Sequence, residues 1–104
     1  MKKIRRFNRE TIGFEDEDFV FTVRGLTRAE YKDYLKRIGE ITKLPDEEKL
    51  DAQIALEDEL IDLCVEPEEA KDVLKNSGSS VVQFVIREIL ALSGLSEEER
   101  KNLE

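Results

Sequence analysis

One run of the chain, Asp18-Phe19-Val20-Phe21-Thr22-Val23, is built from β-branched and aromatic residues. Its alternation puts Phe19, Phe21 and Val23 on one face, so it reads as a strand. A lone strand is not stable in water. It needs a partner, either a segment around Ile4 to Ile12 or another molecule. Nearly everything after it is patterned for helix. The expected fold is therefore mainly α: a small helical domain of four or five helices preceded by one β-strand or short hairpin.

Gly25 turns the chain, and Thr27-Arg28-Ala29-Glu30 is a capping box, in which a hydroxyl and a carboxylate satisfy the amides of a helix start. Tyr31, Tyr34, Leu35 and Ile38 follow at helical spacing, and Gly39 weakens the helix near its end. A second helix begins after Pro45-Asp46 and runs to about Cys64, with Leu50, Ile54, Ile61 and Cys64 on one stripe. Leu56, Leu60 and Leu63 widen that stripe beyond what a surface helix needs. Glu66-Pro67 breaks this helix, and Pro67 opens a short third one through Lys75. Ser80-Val81-Val82-Gln83 reads as another capping box, ahead of a helix carrying Val82, Val85, Ile86, Ile89 and Leu90 and closed by Ser93-Gly94. Ser96-Glu97-Glu98-Glu99 caps a last turn or two. With 104 residues there is room for one core, since a second needs roughly 50 more. The parts are a charged leader over 1–17, a helical domain over 18–95, and a short helix or tail over 96–104.

Charge is unevenly placed. Lys2, Lys3, Arg5, Arg6 and Arg9 give the first nine residues a net of +5, while the remainder holds the other 12 bases and all 25 acids, a net of −13. An overall −8 argues against a general affinity for nucleic acid, which needs clustered cations. The basic nonamer reads as a solvated leader that pairs with Glu15, Asp16, Glu17 and Asp18. The longest uncharged stretch, Asn76 to Ile86, is eleven residues and too short to span a bilayer. No apolar run follows the basic start, so no secretory signal is visible, and the single cysteine fits a reducing cytoplasm.

The residue inventory leaves little room for catalysis. There is no histidine, hence no imidazole base, nucleophile dyad or imidazole metal ligand. One cysteine cannot build a structural zinc site. The five glycines are never closer than twelve positions, so no phosphate cradle exists. The acids at 15–18 fail the calcium-loop template, because Val20 and Phe21 stand where a polar ligand and a glycine are needed. Cys64 falls on the apolar stripe, where a thiol is buried and inert. The expectation is a non-enzyme that needs no cofactor and works by interaction. Leu56, Leu60 and Leu63 would line an apolar groove with Tyr31 or Tyr34 at its rim, although neighbouring helices covering both faces of this helix would explain the same stripe. On the groove reading, Leu60→Asp abolishes partner binding and leaves helicity intact.

The order of these elements resembles the tail assembly chaperones of long-tailed bacteriophages and prophages. The resemblance is carried by Phe19-Val20-Phe21-Thr22-Val23, the capped helix at Thr27, a long acidic helix ending in Leu63-Cys64-Val65-Glu66-Pro67, a serine–glycine loop, and a closing helix ending in Ile89-Leu90-Ala91-Leu92-Ser93-Gly94-Leu95. It covers residues 18–95, and its helix-end features are Cys-Val-x-Pro and Leu-Ser-Gly-Leu. It implies a helical protein of the host bacterial cytoplasm that coats the tape measure protein, keeps it soluble and helps recruit tail tube subunits. Many proteins of that family are made in two lengths by a translational frameshift near the end of the gene. The family has no catalytic residues to transfer. Three other readings follow from the residues. One is a self-assembling minor structural protein, a homo-oligomer joined through the Phe19 to Val23 edge. The others are an adaptor acting through Lys2 to Arg9, and, last, a carboxylate-dependent enzyme.

Overall fold

The computed structural model describes residues 1–3, 7–15 and 17–94. In chain order the elements are β1 (Arg9–Gly13), β2 (Val20–Arg24), α1 (Arg28–Thr42), α2 (Asp46–Cys64), β3 (Val65–Glu66), α3 (Glu68–Lys75) and α4 (Ser79–Leu92). The chain is mainly helical, with a small antiparallel sheet in the order β1-β2-β3. Three strands stand where one strand or a hairpin was expected. The third, Val65-Glu66, is too short to carry an alternation of its own and exists because α2 runs straight into it.

β1 supplies the partner that β2 needs, pairing from Arg9 opposite Arg24 to Gly13 opposite Val20. Residues 9–13 therefore belong to the sheet, although they fall within the stretch read as a charged leader. Phe14 closes the hairpin, its amide donating to the Phe19 carbonyl at 3.3 Å and its ring lying 6.1 Å from Phe19 and 5.7 Å from Phe21. On the other side Thr22 and Val23 pair with Glu66 and Val65. With a neighbour on each side, β2 is the central strand: β1 pairs along Val20–Arg24 and β3 at Thr22 and Val23, so part of the edge proposed for self-assembly through Phe19 to Val23 is taken by the chain itself. The pairing of the basic leader with Asp16, and the structure of Ile4, Arg5, Arg6 and residues 95–104, including the expected last helix, lie outside the described residues.

Phe21 and Val23 point into the core, as the alternation requires, and are joined there by Leu60, Ile61, Val65, Leu74, Val85 and Ile89 among others. No polar or charged residue among those described is buried. The wide stripe of α2 is explained in part by cover: Leu56, Leu60, Ile61 and Cys64 are all buried against neighbouring elements. α1 runs through Gly39 to Thr42. α4 starts at Ser79 with Gly78 as its N-cap and no side-chain cap, so Ser80 and Gln83 do not form the expected capping box. Starting the helix earlier puts Gln83 one turn inside it, where its amide bonds the Glu57 carboxylate of α2.

Two polar junctions tie the helices to β2. At the first, the expected capping box of α1 is present: the Glu30 amide donates to Thr27 Oγ1 at 3.1 Å and the Thr27 amide to Glu30 Oε1 at 2.9 Å. Arg24, the last residue of β2, grips the same carboxylate through both its terminal nitrogens, at 2.9 and 3.1 Å. The Phe7 ring lies 4.8 Å from the Arg24 guanidinium carbon. The bidentate Arg24 bond, aided by the Thr27 amide, holds the Glu30 carboxyl well below its usual range, at about 2. At the second junction the end of α4 meets the turn after β2. The Leu26 amide donates to Ser93 Oγ at 2.7 Å and Asn8 Nδ2 to the Leu92 carbonyl at 3.2 Å. Gly25 sits so close to Leu92 that a Cβ would collide with the Leu92 carbonyl and the Ser93 amide.

Gly25→Ala is therefore expected to lower unfolding free energy by about 2 kcal/mol, because backbone rather than a flexible side chain must move. Urea denaturation checks this; an unchanged midpoint would contradict the close approach. Glu30→Gln keeps the shape of the cap and removes its charge, and should cost about 1–2 kcal/mol at neutral pH. Because the folded carboxyl titrates at about 2 and an unperturbed glutamate at 4.5, its contribution is full above about 4.5 and is lost as pH falls toward 2. The gap between wild type and Glu30→Gln should close over that interval in denaturation measured as a function of pH.

Candidate functional site

α1 and α2 form an antiparallel hairpin joined through residues 43–45. Near its open end the two helices separate and leave a groove of about 310 Å³. α1 lines it with Ala29, Glu30, Asp33, Tyr34 and Arg37, and α2 with Leu56, Glu59, Leu60 and Leu63. Both sets recur at three- and four-residue spacings, which is one face of each helix. Ala29 ends at its methyl group, so the α1 wall is low and the space beside Leu63 stays open.

The floor is apolar and preformed. Tyr34, Leu56 and Leu60 are buried and also line the groove, so the same side chains hold the core and present its outer surface. Leu63 stands on the rim at 48% exposure. Of the polar rim, Glu30 is paired with Arg24, and Glu59 with Arg37 in an ion pair that links the two helices. Burial pushes the Tyr34 hydroxyl up from its ordinary value, and the nearby Glu57 charge adds to this. Burial likewise raises the Glu57 carboxyl, against the lowering effect of hydrogen bonds from Gln83 and Gln53. The Cys64 thiol is buried and pushed up to about 11, chiefly by desolvation, so it is protonated at neutral pH and a poor nucleophile.

Of the five residues expected to bind a partner, Tyr34, Leu56, Leu60 and Leu63 come together in this groove. Tyr31 does not line it; it packs half-buried against the core. The spacing 31–34 puts both tyrosines near one side of α1, but only Tyr34 faces α2 at the groove. Leu60 is a core residue at 3% exposure, so an aspartate there would place a charge in the interior and unfold the domain. Leu60→Asp therefore reports on folding, and the substitution that reports on the groove is Leu63→Asp. Ala29, Asp33, Arg37 and Glu59 were not singled out from the sequence. Arg37 lies one helical turn after Tyr34 and Glu59 one turn before Leu63, a spacing that could have found them, whereas Ala29 and Asp33, five and one positions before Tyr34, carry no such signal.

Among the described residues there is no group of three or more cysteine, aspartate or glutamate side chains placed to hold a metal ion. No helix among them is long and apolar enough to cross a membrane. What the groove can do is receive an apolar side chain or helix ridge from outside. Comparison with models of protein families, with curated proteins and with solved structures finds no match.

Proposed function

We propose that this chain is a non-enzymatic assembly chaperone of a long-tailed bacteriophage or prophage. In this reading it binds an apolar helical segment of the tape measure protein in the α1–α2 groove, keeps that protein soluble in the host cytoplasm, and helps recruit tail tube subunits. The observation that carries the reading is the groove: preformed, floored by Tyr34, Leu56 and Leu60, and left half open at Leu63 on a body of net charge −8. A tape measure protein exposes apolar helix faces until the tube encloses them, which invites aggregation. A small acidic domain covering those faces replaces apolar surface with carboxylates and with mutual repulsion between bound copies. The self-assembly alternative has less support, because β2 lies between β1 and β3.

The test is co-expression with the tape measure protein, scored by how much of it stays soluble and by co-purification. Leu63→Asp, on the rim, should lower the bound fraction by about tenfold, since burying the exposed half of a leucine is worth about 1 kcal/mol and a carboxylate there adds a desolvation cost. Ala29→Leu, which fills the groove from the other wall, should have a similar effect without any change of charge. Both variants should fold, as both positions are exposed. Undiminished rescue by both would remove the groove from the reading. Absence of rescue by folded wild-type protein would remove the reading itself.

A further inference from the structure

The fold divides the apolar stripe of α2 in two. Ile61 and Cys64 are sealed in the core at 0% and 2% exposure, whereas Leu50 and Ile54, on the same stripe, stand at 65% and 45%. No residue of α2 ahead of Leu56 is buried. The cause is the placement of α4. Gln83, one turn into α4, already meets Glu57 of α2, and from there both helices run toward β2, α2 ending at Val65 beside Val23 and α4 ending at Ser93 beside Leu26. Only the first turn of α4 reaches back past Glu57, so the first half of α2 projects beyond its cover.

That uncovered half, residues 46–55, carries four acids, Asp46, Glu47, Glu48 and Asp51, against one base, Lys49, which is paired with Asp46 at 3.3 Å, and Asp58 follows one turn after Ile54. Glu47, Asp51 and Asp58 recur at spacings of four and seven residues, so they form a row immediately beside Leu50 and Ile54. We propose that the first half of α2 is a docking face for an amphipathic helix whose apolar stripe is flanked by lysine or arginine. The partner's apolar residues would pack on Leu50 and Ile54 while its cations lie over the row Glu47, Asp51 and Asp58. The same α2 face of a second copy fits poorly, because it would bring two acidic helices side by side. The face is separate from the groove, since Leu63 lies roughly half a turn around the α2 axis from Ile54. The chain would thus offer two helix-binding surfaces with different charge requirements.

The probes are two synthetic helices of about 18 residues with the same leucine stripe, one flanked by lysines and one by glutamates, titrated against the full chain by fluorescence anisotropy. The lysine peptide should bind, more weakly as salt is raised, and the glutamate peptide should not. Leu50→Ser with Ile54→Ser should weaken the lysine peptide by about tenfold or more, while Leu63→Asp should leave it within about twofold. Asp51→Lys with Asp58→Lys, which keeps the apolar stripe, should reverse the preference toward the glutamate peptide. Unchanged binding to the Leu50/Ile54 variant, or equal binding of both peptides, would overturn the proposal. So would self-association of the free protein that the Leu50/Ile54 variant abolishes, which would assign the face to a second copy.

Discussion

Pairing on both sides of β2 is the constraint on which the rest of the domain depends. β1 and β3 satisfy its backbone, and its inward residues, Phe21 and Val23, provide the surface on which the core is assembled. Its last residue, Arg24, holds the first turn of α1 through Glu30, and the next residue, Gly25, lets the end of α4 approach backbone to backbone. Remove the register of β2 and both helices lose their anchors. A small domain with no buried polar residue among those described depends on such junctions for orientation, because apolar packing alone is not directional.

The α1–α2 groove follows from those anchors. Arg24 and the capping box place the start of α1, and continuity with β3 places the end of α2, so the sheet fixes the open end of the hairpin while α1 packs along α2. With Ala29 at that end of α1, the space between the helices is not filled. The Arg37–Glu59 ion pair then spans the gap. An apolar floor that also belongs to the core is rigid, and a rigid site loses little conformational entropy on binding. This is the property that the proposed chaperone function uses.

α2 has a second asymmetry, in cover rather than in sequence pattern. Its apolar stripe resumes at Ile61 after Glu57 and Asp58 interrupt it beyond Ile54, and the elements packed on it cover only the second part. Where α4 and the sheet lie over the stripe it is core; where they stop, the same kind of residue becomes surface, beside Glu47 and Asp51. The acidic helix therefore has one half that stabilises the fold and one half that is open to a partner.

Local chemistry was legible in the sequence. The capping box at Thr27 and Glu30, the strand alternation of Phe21 and Val23 and the span of α2 to Cys64 depend on neighbours a few residues away, and all are present. The exclusion of imidazole chemistry required only a count. The groove was legible in part, since a stripe too wide for one interface implies a second surface, and Tyr34, Leu56, Leu60 and Leu63 meet as a result. Tertiary structure alone decided that β2 is central, that Val65-Glu66 is a strand, that Gln83 serves Glu57 instead of a cap, and that Tyr31 packs away from the groove. It also decided that Leu60 is core while Leu50 is surface. Periodicity places a residue on a face of its helix, but whether that face is covered depends on where distant elements begin and end.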